Sequence, residues 1–396
     1  MLPLLLLLLA AKPAAAPATA APAPVTQAPA MDAAYVAFTQ ALEDGINAGE
    51  ASALDAHVDL ERLIERSTRN TSAPSQFAEG FAKGMRRSGV DMGKQLVAAR
   101  DEESDFHLLR LRMDGGAPHA LYRVISQSGI NYLDFELAKN AKGKVVIVDI
   151  YPHISGELFS ETLRRMYLMA ATEAGHNLVD KMMGKEQEFL KNVSKLQAMQ
   201  RLTQERKPAE VVKTFRELPP ALRQDKLFLL LRLNAASNLD EAEYQKAIED
   251  FEKAFPNDPS IALISIDGHM MRKDYDSVLK CIDRLDSRVK DPYLHYLRGS
   301  VMLDKGDGKE ARRFFQAAID AEPTLVAPYW VLIGLSLQDK KYKDTARYLT
   351  AIERDAGVEL SELTELEQYA DFVKSPEYKA WNKQRSARQQ AAPAVP

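Results

Sequence analysis

The stretch of sequence that decides the fold is Pro292–Leu325, PYLHYLRGSVMLDKGDGKEARRFFQAAIDAEPTL. It predicts two helices joined by a short turn. Small residues let the helices of such a pair approach closely, an aromatic side chain fills the gap to the next pair, and proline ends the second helix. The residues that carry this pattern are Gly299, Gly306, Asp307, Ala311, Phe315, Ala318 and Pro323.

Parts of this pattern recur in both directions along the chain. Corresponding segments begin at Tyr244, Tyr275, Gly308 and Tyr342, which are 31, 33 and 34 residues apart. Trp330 and Gly334 repeat part of the first-helix pattern in the next unit. Lys207–Leu218 is typical of the second helix of an earlier, degenerate repeat. The period resembles that of tetratricopeptide repeats, which is about 34 residues. The sequence therefore predicts an all-α helical-repeat solenoid over residues 205–360.

The resemblance to tetratricopeptide repeats implies a scaffold that binds proteins along a concave face lined by the first helices. Members of the family that clamp a carboxylate use Lys and Asn there, whereas this chain has mainly apolar and aromatic residues, which suit an apolar or helical peptide. The alternative is that the chain's own ends fill the groove. The positions carried over to the groove are Arg232, Leu263, Met270, Tyr293, Tyr296, Trp330 and Leu337.

A different pattern precedes the repeats. Apolar residues at helix spacing predict helices over Met31–Ala48, Leu54–Ser67 and Ser75–Arg87. The period then changes to two, with Gly-containing turns between the segments. This predicts an α+β domain over residues 31–155, in which three helices lie on an antiparallel sheet. The predicted strands are Phe106–Met113, His119–Gln127, Ile130–Ala138 and Lys144–Tyr151.

The order of helices and strands resembles the nuclear-transport-factor-like cone fold, the superfamily of scytalone dehydratase and ketosteroid isomerase. Enzymes of that superfamily place a carboxylate or a His–Asp pair inside the cone. Here the face expected to pack on the helices is apolar apart from Tyr122, which argues against catalysis. That face is predicted to carry Leu109, Leu111, Tyr122, Val124, Leu133, Phe135, Leu137, Val146, Val148 and Ile150.

The opposite face of the predicted sheet mixes charged and apolar groups. Arg110, Arg123, Asp134 and Asp149 are candidate site residues on this polar sheet face. The simpler interpretation is a ladder of cross-strand ion pairs. A homodimer through the N-terminal sheet is a further expectation for this domain.

The remaining segments connect or cap these two parts. Connecting helices are expected over 156–204, beginning with a helix Glu157–Met183 that Ser155 is placed to cap. Residues 361–386 are expected to form capping helices that cover the last repeat, and 387–396 to form a disordered tail.

The N-terminal sequence is typical of an export signal. Leu2–Ala11 is an apolar run half as long as the roughly 20 residues that span a bilayer. It suits a signal peptide over residues 1–20, cleaved after Ala18-Thr19-Ala20, although no basic residue precedes the leucines. The Ala/Pro-rich residues 21–30 are then a linker. This predicts a periplasmic or secreted bacterial-type protein; the alternative is a short membrane anchor.

Composition excludes several classes of function. A net charge of −4 argues against a general nucleic-acid binder, and no later run is apolar enough for a membrane span. One cysteine, Cys281, and scattered histidines leave no metal-binding spacing, and the sequence has no cofactor-binding or catalytic motif. We therefore expect no metal, no cofactor and no enzymatic activity. The leading hypothesis is an exported adaptor that binds an unidentified protein or peptide. The alternatives are a small-ligand carrier or sensor using a cavity behind Tyr122 and Leu133, and an enzyme of the cone superfamily.

Overall fold

The computed structural model describes residues 31–71, 74–89, 91–100, 104–126, 129–173, 191–256 and 259–391. The predicted signal peptide and linker lie outside these residues. So do the part of the predicted helix Glu157–Met183 that follows residue 173, and the end of the predicted tail. The described residues divide into two compact units, 31–289 and 290–391. The division falls inside the predicted repeat region.

The sheet of the first unit has four antiparallel strands in the order β1-β2-β3-β4. They are β1 Asp105–Asp114, β2 Ala117–Ser126, β3 Gly129–Lys139 and β4 Val145–Pro152. The turn between β1 and β2 uses Gly115 and Gly116 at φ of 53° and 85°. The prediction of a four-stranded antiparallel sheet is confirmed.

Two β-bulges change which residues face the helices. Leu108 pairs with Tyr122 and Arg110 with Leu121, so Leu109 is an extra residue in β1. In the same way, Leu137 pairs with Ile147 and Glu136 with Asp149, so Val148 is an extra residue in β4. An extra residue reverses the alternation on one side of it. Leu108, Val145 and Ile147 therefore join the buried cluster between the sheet and the helices, and the prediction that Leu109, Val146 and Val148 do so is wrong. Val148 is buried outside that cluster.

The helices before the sheet differ from the predicted three. They are α1 Ala33–Asn47, α2 Ser52–Asp55, α3 Leu60–Thr68, α4 Ser75–Ser88 and α5 Met92–Ala98. The predicted helix Leu54–Ser67 is interrupted because Val58 forms a parallel bridge to Ile147. Around that bridge, the Asp59 amide donates to the Ile147 carbonyl and the Ile147 amide donates to the His57 carbonyl, each at 2.8 Å.

Only part of this helical segment packs on the sheet. Leu42 and Ile46 of α1 share a buried cluster with Phe106, Tyr122 and Phe135 of the strands, and Met92 and Leu96 of α5 pack against it. By contrast, Phe77 and Phe81 of α4 contact the ring of Tyr167, at centroid distances of 5.4 and 5.0 Å. The helix α4 thus packs on a separate core. The expectation that the helix Ser75–Arg87 lies on the sheet with the other two is not confirmed.

Helices make up the rest of the first unit, and no strand follows Pro152 in the described part of the chain. A buried cluster that includes Tyr167, Phe215, Phe228 and Phe251 joins most of these helices. They are α6 Phe159–Glu173, α7 Val193–Gln204, α8 Pro208–Arg216, α9 Pro220–Arg223, α10 Lys226–Ser237, α11 Glu241–Ala254, α12 Pro259–Met271 and α13 Tyr275–Val289.

The second unit consists of two helix hairpins and a C-terminal segment. Its elements are α14 Tyr293–Asp304, α15 Gly308–Ala321, α16 Val326–Gln338, α17 Tyr342–Asp355, two short 3-10 turns at Leu363–Glu365 and Glu367–Tyr369, α18 Ala370–Val373 and α19 Pro376–Ala391. The helix α19 packs on α17, and Trp381 is buried there beside Phe372.

The α14–α15 hairpin has the predicted helix contact. A Cβ atom on Gly299 would lie 2.6 Å from the Phe315 ring, so only glycine permits this approach. Gly306 takes φ +87° in the turn, and Asp307 caps α15 by accepting from the Glu310 amide at 3.1 Å. Across both units the second helices begin at Glu241, Tyr275, Gly308 and Tyr342. The near-constant spacing supports a helical-repeat region.

Candidate functional site

The groove positions in the first unit are Arg232, Leu263 and Met270. Arg232 is buried and engaged within its own hairpin. Its Nε donates to Glu243 Oε1 at 3.0 Å, its Nη1 donates to Asp250 Oδ2 at 2.6 Å, and the guanidinium lies 5.0 Å from the Phe215 ring centroid. Leu263 and Met270 are half-buried. Arg232 therefore holds α10 against α11, and a partner would reach little of its side chain.

The groove positions in the second unit are Tyr293, Tyr296, Trp330 and Leu337, all half-buried. The rings of Tyr293 and Tyr296 lie 5.1 Å apart, and Tyr296 lies 5.7 Å from Phe315. Trp330 and Leu337 pack against the core of this unit with part of their surface. The structure thus divides the predicted groove residues between the two units.

Helix α16 is the most apolar of the described repeat helices in the second unit. Its sequence, VAPYWVLIGLSLQ, contains no charged residue, whereas α15 and α17 carry several each. Val326, Trp330, Gly334 and Leu337 recur at helix spacing along one side; we call this set the α16 stripe. Gly334 is exposed, and a Cβ added there would meet no atom within 4 Å. The idea that Gly334 repeats the close helix contact of Gly299 is therefore wrong.

An uncharged stripe of this kind has a physical consequence. Its three side chains are only half-buried, so they keep apolar surface in contact with water, and Gly334 leaves a gap between Trp330 and Leu337. Apolar surface rimmed by polar helices is typical of sites that bind apolar segments of other proteins.

Charged residues on the polar sheet face are mostly paired. Arg112 and Asp134 form an ion pair with Nη2 and Oδ2 2.5 Å apart, and His119 Nδ1 lies 3.1 Å from Asp134 Oδ1. Burial alone would raise the pKa of Asp134, but the hydrogen bonds to His119 and Arg112 outweigh it and hold that pKa below its ordinary value. Arg123 is 1% exposed and pairs with Asp105 at 2.7 Å.

Asp149 connects the sheet to two helices. It is fully buried, accepts from Arg66 Nη1 of α3 at 2.9 Å and accepts from the Ser160 amide of α6 at 3.1 Å. Arg66 also forms a two-pronged pair with Glu136, with both distances 2.7 Å. Asp149, and not Ser155 as the sequence suggested, caps α6; the Ser155 hydroxyl donates to the Pro152 carbonyl instead. These contacts give Asp149 a structural role.

Two residues on this face lack a charged partner in the part of the chain that the structure describes. Arg110 Nε is buried without a hydrogen bond, while its Nη2 donates to the backbone carbonyl of Arg288. His153 is 7% exposed, and its Nδ1 has no hydrogen-bond partner. Burial lowers the pKa of His153 to about 4, with Asp134 opposing and Arg288, Arg112 and Arg110 adding to the decrease. Sequence reasoning missed His153, which follows β4 without any motif.

The interior behind Tyr122 and Leu133 is packed with side chains. Tyr122 stacks on Phe106 at 4.5 Å, lies 5.3 Å from Phe135, and donates its hydroxyl to the Thr39 carbonyl at 2.9 Å. The structure therefore offers no support for a small ligand in that place. A shallow apolar groove does lie between α4 and α6, lined by Pro74, Gln76, Phe77, Gly80, Phe81 and Ala170.

The described residues contain neither a cluster of metal ligands nor a helix that could span a membrane. No group of three His, Cys, Asp or Glu side chains among them is placed to hold a metal ion. Cys281 is buried, which raises its pKa to about 11. Within the same ranges, no helix combines the length and the apolar character needed to cross a bilayer.

Comparison with known proteins gives little further information. No protein-family model matches the sequence. No curated protein sequence matches it either. A solved structure that is similar, MamA 41-end from Desulfovibrio magneticus RS-1, shares 20% sequence identity at a TM-score of 0.35. The similarity covers 43% of this chain and 96% of that one, and it is too weak to decide fold or function.

Proposed function

We propose that this chain is an exported protein-interaction scaffold that binds an apolar segment of a partner protein on the α16 stripe. The observation that carries the proposal is the absence of charge from α16 together with the half-buried Trp330 and Leu337 on one side of it. A few residues provide most of the binding energy at protein interfaces, and tryptophan is enriched among them.

The composition of the stripe specifies the chemistry of the partner. No basic residue of α16 is available to clamp a carboxylate or a phosphate, so an acidic tail would gain nothing from it. A helical or extended segment with apolar residues at matching spacing would bury Trp330 and fill the gap at Gly334.

A binding function agrees with the state of the acidic groups in the sheet. Asp134, Glu136 and Asp149 each accept from an arginine of the same chain, and these pairs occupy the oxygens that a general base would need. A homodimer through the polar sheet face is less favoured, because Leu121, Arg123, Tyr132 and Val148 at its centre are already buried.

Site-specific photo-crosslinking tests the binding surface in the full-length chain. A benzoyl-phenylalanine at Leu337 should capture a discrete partner in cells, and Trp330→Ala in the same chain should reduce that capture. The matched control places the photo-crosslinker at Lys343, an exposed position on the neighbouring helix α17. Equal capture from both positions, or capture unaffected by Trp330→Ala, would count against the proposal.

Export is tested separately by the N-terminus of the mature protein. We expect chains recovered outside the cytoplasm to begin at Ala21, after the Ala18-Thr19-Ala20 sequence. Mass spectrometry of the N-terminal peptide measures this. A protein that remains in the cytoplasm with Leu2–Ala11 intact would overturn the export part alone.

A further inference from the structure

The polar sheet face contains buried side-chain nitrogen atoms that have no hydrogen-bond partner among the described residues. Two of them belong to side chains that also form no ion pair there: Nε of Arg110 on β1 and Nδ1 of His153, which follows β4. A buried polar atom without a hydrogen bond costs about 1–3 kcal/mol, and such atoms are rare in folded proteins. Two of them on one face of a four-stranded sheet therefore require an explanation.

Positively charged side chains outnumber the carboxylates that pair with them around these atoms. Arg112 is matched by Asp134 at 2.5 Å and by Asp114 at 3.2 Å. Arg110 is half-buried, and among the described residues it forms no ion pair and donates one hydrogen bond, to the neutral carbonyl of Arg288. Burial, and next the charge of Arg112, lower the pKa of Arg110, and the charge of Asp134 opposes them.

The same positive charges act on the imidazole of His153. The charges of Arg288, Arg112 and Arg110 all act on its imidazole, and Asp134 is the opposing carboxylate. The rings of Tyr151 and Tyr132 lie 5.4 and 5.7 Å from it and form apolar walls. A water molecule could satisfy either orphan nitrogen, but it would leave the guanidinium charge of Arg110 uncompensated.

From these contacts we propose that Arg110 and His153 form a binding site for a small oxyanion, a carboxylate or a phosphate group. The guanidinium of Arg110 supplies charge and its Nε–H, and the imidazole donates from Nδ1. An anion there would compensate the excess of arginine over carboxylate. The site lies on the sheet of the first unit and is independent of the α16 stripe, so each proposal can fail without the other.

The test uses nuclear magnetic resonance of the full-length chain with labelled histidine. The His153 signal is assigned by its loss in His153→Gln and followed while inorganic phosphate or, in a second arm, acetate is added at constant ionic strength. We expect a saturable shift of this signal and a rise in the pKa of His153. The more effective of the two anions identifies the source of the oxyanion.

Variants make the test decisive. Arg110→Gln should weaken binding by about tenfold or more, because a charge-assisted contact is lost. Arg110→Lys keeps the charge and serves if the glutamine variant does not fold; it should bind with intermediate affinity. The matched control Arg347→Gln changes an exposed arginine on α17 and should leave binding unchanged. A shift that does not saturate, or one that is equal in all variants, would show that only water occupies the site.

Discussion

The pair of variants Gly299→Ala and Gly334→Ala tests whether the close helix contact of the repeat is real. Both glycines lie in first helices of successive hairpins, α14 and α16. An alanine Cβ at position 299 would lie 2.6 Å from Cε1 and 2.7 Å from Cδ1 of Phe315. At position 334 it would meet nothing within 4 Å. The same substitution therefore has opposite steric consequences at the two sites.

The magnitude follows from comparing the two. Carbon atoms normally stay roughly 3.5–4.0 Å apart, so at position 299 the ring must move by about 1 Å. Phe315 is fully buried and cannot swing into solvent, and such overpacking costs about 1–3 kcal/mol. Replacing a helical glycine by alanine gains about 1 kcal/mol at both sites. Gly334→Ala should therefore raise the free energy of unfolding, and Gly299→Ala should fall below it by about 1–3 kcal/mol.

Urea unfolding followed by tryptophan fluorescence is the suitable assay. The chain has two tryptophans, Trp330 and Trp381, and both lie in the unit 290–391 that contains the two glycines. The fluorescence transition thus reports on the surroundings of these two side chains in that unit. Phe315→Leu in the Gly299→Ala background should recover part of the loss, because a smaller side chain accepts the new methyl group. Equal midpoints for the two alanine variants, or strict additivity in the double variant, would refute the contact.

Four further predictions concern the first unit and use circular dichroism unless stated. Asp149→Ala should destabilise it by about 3–5 kcal/mol, because Arg66 and the Ser160 amide lose a buried acceptor; a change within about 0.5 kcal/mol would exclude the proposed role. Arg232→Met should cost about 3 kcal/mol by leaving Glu243 buried with less compensation, and adding Glu243→Gln should restore part of this. His153 has its pKa lowered to about 4 in the folded state, from 6.5, so its stabilising contribution is complete above pH 6.5 and is lost as the pH falls through 4. The wild type should therefore lose about 3 kcal/mol more than His153→Gln over that range, and parallel pH profiles would contradict a neutral buried imidazole. Cys281, with its pKa raised to about 11, should react with a disulfide reagent at pH 8 about 100-fold more slowly in the folded chain than in urea; rapid labelling of the native protein would show that the thiol is accessible.

The sequence predicted those features that depend on neighbouring residues. The strands were predicted because alternation and glycine turns are local signals. The α14–α15 hairpin was predicted because the residue types of Gly299, Phe315 and Pro323 indicate a close helix contact, a filled gap and a helix end. The break between α2 and α3 could not be seen, since its cause is a bridge from Val58 to Ile147, which is remote in sequence.

The faces of the sheet could be predicted only in part. Each bulge falls where two apolar residues adjoin, Leu108-Leu109 and Ile147-Val148, so either residue could be assigned to the core from the pattern alone. The candidate charged residues were placed on the correct strands, but their partners were not predictable. Asp149 pairs with Arg66, which lies 83 residues away.

The two outer strands of the sheet are each bonded along part of their free edge. On β1, Asn47 and Glu43 of α1 bond the backbone of Phe106 and Leu108. On β4, the segment at His57–Asp59 bonds both backbone groups of Ile147. Exposed strand edges recruit further strands and lead to aggregation. Side-chain capping of one edge and a single bridge on the other thus make this sheet a poor template for intermolecular strand addition. Such protection leaves the α16 stripe as the surface on which we propose that a partner binds.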